Sequence, residues 1–175
     1  MTSQNYKCNY HFINTSDNKK IRTCIWSKNN KGLIIFLNGR NEYIEKYNDV
    51  YEKFQERGYS VITLDWRGQG LSEKEKKFSN FGHVNDFSEY QIDLESVLNY
   101  YNVNKILGKK ILVCHSTGCL IGLRFLQNEG FSFDKAIFLA PLWGGSFYQK
   151  IVSKLCILLK KIGIKKINLT YNLNK

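Results

Sequence analysis

One stretch of this 175-residue chain has residue types and spacing suited to nucleophilic chemistry: Cys114-His115-Ser116-Thr117-Gly118. It follows the apolar run 110–114 directly and leads into a segment with helical periodicity. A serine on a sharp strand-to-helix turn stands above the sheet, and small residues two places before and after it let strand and helix approach closely. Here the first small residue is Cys114 rather than glycine. Serine followed by glycine at a helix start is equally a plain N-cap, so this motif alone leaves nucleophile and cap both open.

A serine nucleophile needs a base, and the base needs an orienting acid. The histidines are His11, His83 and His115, and none follows Ser116. The only later acids are Glu129, at the far end of the elbow helix, and Asp134, at the amino end of the next strand, both at the wrong edge of the sheet. His115 reads as packed beside the elbow and His11 lies in an early hairpin. His83, just ahead of a helix, is the one remaining candidate base.

The elements that must position Ser116 alternate along the chain. Residues 8–13 and 21–26 read as two short strands joined by the turn-rich 14–18, an antiparallel hairpin. Continuous apolar runs at 32–37, 59–64 and 110–114 predict strands covered on both faces, and 135–139 predicts a fourth strand after the hairpin. Between them, Ile44, Tyr47, Val50, Tyr51 and Phe54 recur at helical spacing, with Gly58 as a stop signal. A second helix is predicted over about 86–101 and a third through Leu120, Leu123 and Phe125. This order predicts an α/β chain with a mainly parallel sheet and helices on both faces, its functional groups at the carboxyl ends of the strands. Alternation alone fits several such folds, so the strand-end motifs must decide among them.

Asn38-Gly39-Arg40-Asn41-Glu42-Tyr43 follows the run 32–37, and Asp65-Trp66-Arg67-Gly68-Gln69-Gly70-Leu71-Ser72 follows the run 59–64. With the serine motif, these resemble α/β-hydrolases of the lysophospholipase and monoacylglycerol lipase type, the serine aminopeptidase S33 group. That family has His-Gly or Pro-Gly after the first of these strands, then D-x-R-G-x-G-x-S, then G-H-S-x-G. Its inner-membrane lysophospholipase branch is the most similar, with Pro-Gly-Arg where this chain has Asn38-Gly39-Arg40. The resemblance implies that Ser116 attacks a carboxylic ester of a lysophospholipid or monoacylglycerol. It also implies that the backbone amides of Arg40 and Thr117 form the oxyanion hole. Asp65 and Arg67 read as ties for a glycine-rich turn, since Gly68-Gln69-Gly70 is too short for a dinucleotide fingerprint. Family members run to roughly 300 residues. The expectation is therefore an α/β-hydrolase fold truncated before its last strands, in which the triad acid and histidine are missing and the chain alone turns over little or no substrate.

Composition bounds the remaining possibilities. At 43% hydrophobic, 14% aromatic and 23% charged residues, the chain is neither disordered nor collagen-like, and it has no apolar run long enough to span a membrane. Five cysteines (Cys8, Cys24, Cys114, Cys119 and Cys156) without paired C-x-x-C spacing suggest neither a disulfide framework nor a zinc site. No cofactor or metal is expected. The first residues lack an apolar signal region, so a cytoplasmic location is expected. The net charge is +11, and after Asp134 come Lys135, Lys150, Lys154, Lys160, Lys161, Lys165, Lys166 and Lys175 with no counter-charge. Few arginines and no recognition module argue against nucleic acid. Residues 1–148 read as the partial hydrolase core and 149–175 as the start of a cap. In that cap Ile151, Val152, Leu155, Leu158, Leu159 and Ile162 form the apolar stripe of a basic amphipathic helix suited to an anionic membrane surface at the inner face. A non-catalytic membrane-surface or partner-binding protein built on the same scaffold is the competing expectation. A separately encoded carboxyl-terminal half is a further expected partner.

Overall fold

The computed structural model describes residues 8–27, 31–75, 82–127, 130–143 and 154. Its strands are β1 (Asn9–Asn14), β2 (Lys20–Trp26), β3 (Gly32–Leu37), β4 (Tyr59–Leu64), β5 (Lys109–His115) and β6 (Lys135–Leu139). Its helices are α1 (Asn48–Glu56), α2 (Glu89–Tyr100) and α3 (Thr117–Phe125). The strands form one sheet in the spatial order β1-β2-β4-β3-β5-β6. β1 pairs antiparallel with β2 and β2 with β4, while β4, β3, β5 and β6 run parallel.

The strand period of two sorts the apolar residues onto two covered faces. Leu33, Ile35, Leu37, Ile62, Leu64 and Leu112 pack with Leu94, Val97 and Leu98 of α2 and with Cys119, Ile121 and Phe125 of α3. Ile34, Phe36, Val61 and Val113 face the other way and pack with Tyr51 of α1 and with Ile44 just ahead of it. Every residue of β3 is buried, as its unbroken apolar run requires. At about 1.5–3 kcal/mol for each large apolar side chain fully buried, these two layers supply most of the driving force.

Local chemistry adjusts the element boundaries. The helix expected from residue 43 opens as a 3-10 turn over Ile44–Tyr47 before α1 begins. The helix expected from about residue 86 starts at Glu89. The Asp86 carboxylate accepts the Ser88 amide at 2.8 Å, and that local turn competes with helix at those residues. The hairpin brings Cys8 and Cys24 together, with their Cα atoms 6.3 Å apart and their sulfurs bonded. The sequence reading missed this pair because proximity across strands leaves no trace in linear spacing. β6 follows β5 in parallel but forms the edge of the sheet, where Ile137 is 44% and Leu139 45% exposed.

The chain divides into two compact units, 1–142 and 143–175. The amphipathic helix expected over 149–166 lies outside the described residues except for Lys154, which is helical and exposed. Glu129 and Cys156 also lie outside them. Among the described residues, no helix is long and apolar enough to cross a membrane.

Candidate active site

The parallel register sets the site. Leu37 of β3 pairs with Cys114 of β5, so the segments leaving these two strands run side by side. β4 and β5 flank β3 on opposite sides, which makes the gap at their carboxyl ends the crevice of an open α/β sheet. Ser116 sits there between β5 and α3 with φ 51° and ψ −118°. A non-glycine residue keeps such a conformation only where its surroundings force it. Those surroundings are specific. The Ser116 amide donates to the Leu139 carbonyl of β6 at 3.0 Å, and the Ser116 carbonyl accepts the Cys119 amide at 3.0 Å. Gly118 has no room for a side chain, because a Cβ there would lie 2.6 Å from the Asn38 carbonyl oxygen and closer still to that of Leu37. Ser116 occupies the position before α3, yet its hydroxyl makes no capping bond. Of the two roles open to the motif, capping is therefore not the one its side chain performs.

The departure from glycine at residue 114 is accommodated across α3. A Cβ at Gly122 would lie 2.5 Å from the Cys114 sulfur, so the helix gives up a side chain where the strand gained one. Burial pushes the Cys114 thiol up, which leaves it inert as a nucleophile. Asn38, at the place of the family's histidine or proline, is fully buried. Its Nδ2 donates to the Leu64 carbonyl at 3.2 Å, and its own carbonyl accepts Trp66 Nε1 at 3.0 Å, which ties the end of β3 to the end of β4.

Both segments expected to supply oxyanion-hole amides border Ser116. Thr117 is the first residue of α3, where amides have no intrahelical acceptor and the helix dipole favours negative charge. Arg40 lies one residue beyond Gly39, and an ideal Cβ on Gly39 would be 3.0 Å from the Ser116 Cβ. Glu42 closes that loop. One of its oxygens accepts the Gly39 amide at 2.5 Å and faces His115 Nδ1 at 3.1 Å, while the other accepts Lys46 Nζ at 2.6 Å. Tyr47 Oη lies 3.0 Å from the same His115 nitrogen. Burial alone would raise the Glu42 carboxyl, but Lys46, the Gly39 amide and His115 outweigh it and hold it at about 2. The sequence reading passed over Glu42, although its spacing of four from Lys46 is an ion-pair signal.

Asp65 and Arg67 serve as ties, as expected. The Asp65 carboxylate accepts the Ile44 amide at 2.9 Å and the Leu71 amide at 2.8 Å and pairs with Arg22 at 2.9 Å. Arg67 reaches Asp17, Glu89 and Asp93 at 2.7–3.1 Å. His83 bonds Asn85 through Nε2 at 3.4 Å, and His11 bonds the Tyr100 hydroxyl at 3.2 Å. Asp134 accepts the Lys110 amide at 2.7 Å, at the amino ends of β5 and β6 and away from the elbow.

Comparison with known proteins identifies the family. The family model for serine aminopeptidase, S33, matches residues 28–172. The chain belongs to that α/β-hydrolase family. Within the family it is 30% identical over 130 residues to a probable lysophospholipase L2 of Haemophilus influenzae, covering 74% of this chain and 41% of that protein. It is also 30% identical over 112 residues to lysophospholipase L2 of Escherichia coli K12, covering 64% and 33%. The match thus spans well under half the length of these relatives. The fold is shared with a soluble variant of monoglyceride lipase from Saccharomyces cerevisiae (TM-score 0.68, 22% identity, 99% of this chain and 58% of the other). It is shared too with a thermostable carboxyl esterase from Bacillus coagulans (TM-score 0.71, 18% identity, 89% and 50%).

Proposed function

We propose that this chain carries the nucleophile half of a serine esterase of lipid metabolism, acting on the carboxylic ester of a lysophospholipid or monoacylglycerol. The observation that carries the reading is Ser116, held in a strained backbone conformation with an uncommitted capping position and with the Gly39 loop against it. In this reading Ser116 Oγ attacks the ester carbonyl, and the amides of Thr117 and Arg40 take the charge that develops on its oxygen. The names of the lysophospholipase relatives support the substrate class. No histidine follows Ser116 among these 175 residues, so in this reading they alone turn over little substrate.

A fluorophosphonate probe tests the site. Slow labelling confined to Ser116 and lost in Ser116→Ala is expected. Label on another residue overturns the nucleophile assignment, and fast labelling of the chain alone overturns its inactivity. If labelling also depends on His83, then His83 is the base. Reading the downstream nucleotide sequence for a strand ending in aspartate and a later histidine tests the missing half.

The cation run after Asp134 favours a second reading, in which 149–175 holds the chain peripherally on an anionic membrane at its cytoplasmic face, without catalysis. Labelling at Ser116 discriminates between the two.

A further inference from the structure

The carboxylate nearest the elbow has no part in the chemistry proposed above, and its surroundings call for an explanation. The Glu42 side chain is only 7% exposed, and an ion so buried is costly unless its oxygens are fully engaged. They are engaged by groups from two different strand ends. Gly39 belongs to the loop after β3, and His115 is the last residue of β5, adjacent to the nucleophile. Lys46 and Tyr47, on the 3-10 turn ahead of α1, complete the cluster. An apolar residue at position 42 would fill the same space, but it could not hold the Gly39 amide and the His115 ring at once. Nor is there slack in the loop, since a Cβ on Gly39 would lie 2.9 Å from Glu42 Oε2 and 3.0 Å from the Ser116 Cβ.

We infer that Glu42 is a positioning residue, a buried clamp that fixes the distance between the Arg40 amide and the Thr117 amide by tying the loop after β3 to the residue before the nucleophile. It touches no reacting atom. It acts through Gly39 and His115, and the inference rests on the oxyanion hole proposed above. A glutamine at 42 can keep Gly39 and His115 on its one carbonyl oxygen but turns an amide NH2 toward Lys46, so it loosens the clamp without removing it. Alanine removes it.

The test uses the 175-residue chain as Glu42→Gln and Glu42→Ala, with the exposed Glu95→Gln as control, each under conditions where it is fully folded. The first measurement is amide hydrogen exchange at Gly39 and Arg40, which needs no activity. Both amides are expected to exchange at least about tenfold faster in Glu42→Ala, by a smaller factor in Glu42→Gln, and unchanged in the control. The second is the kinetics of fluorophosphonate labelling at Ser116. The maximal labelling rate is expected to fall about tenfold or more in the order wild type, Gln, Ala, while the concentration for half-maximal rate holds within twofold, as for a misplaced oxyanion donor. A residue that merely supports the fold would shift the unfolding midpoint and leave that rate alone. Unchanged exchange at both amides overturns the clamp. Faster exchange with an unchanged labelling rate overturns its role in the oxyanion hole. If the wild-type chain takes no label at Ser116, the esterase reading fails, and exchange alone decides whether Glu42 holds the loop.

Discussion

At Gly118 the close approach of α3 to β3 leaves no volume for even a methyl group. Gly118→Ala must push against the carbonyls of Leu37 and Asn38, which are fixed by the sheet, and a loss of about 3 kcal/mol or more in urea unfolding is expected. Gly130→Ala, with nothing within 4 Å of the added Cβ, should stay within about 0.5 kcal/mol. Glu42 makes a prediction about acid. Its folded pKa of about 2 lies below the ordinary 4.5, so the carboxylate stabilises the fold above pH 4.5 and that contribution is lost as pH falls toward 2. The stability gap between wild type and Glu42→Gln is therefore expected to be about 2–3 kcal/mol at pH 7 and to close between pH 4.5 and pH 2 in a urea titration series. A gap that stayed constant across this range would show that the carboxylate's charge is not what stabilises the loop.

Elements differ sharply in how well they are covered, although their sequences look alike. Ile137 in β6 and Leu112 in β5 both sit in apolar runs, but Ile137 is 44% exposed and Leu112 fully buried. Leu112→Ala is expected to cost about 2–5 kcal/mol, and Ile137→Lys within about 0.5, measured by urea unfolding. A large cost at Ile137 would mean that something covers the edge strand in solution. This contrast marks what the sequence could tell. Among the described residues, apolar runs and helical spacing located the six strands and three helices to within a few residues, because burial on both faces writes itself into composition. Ser116, Gly118 and the turn at Asp65 were legible because each demands a particular residue type at fixed spacing. The Cys8–Cys24 pair, the exchange of bulk between Cys114 and Gly122, and the Glu42–His115 contact were not. Each joins residues from separate elements, and only the register between strands and the packing of helices bring them together.

For the whole molecule, charge is the property that no single element carries. The uncompensated lysines after Asp134 should bind anionic vesicles with an affinity that falls as salt rises. Cosedimentation that vanishes on removing 149–175 is the expected result, and binding that survives the deletion would assign the contact elsewhere. The sheet carries a second molecule-wide property. The Ser116 amide donates to the carbonyl of Leu139, the last residue of the exposed strand β6, so the elbow residue is wired by one hydrogen bond to the edge strand. That makes the nitrogen of Ser116 a resident spectroscopic probe. Whatever lies down along β6, whether a further strand, a second copy or nothing, should be readable as a change in the chemical shift of a single amide, before any substrate has been found.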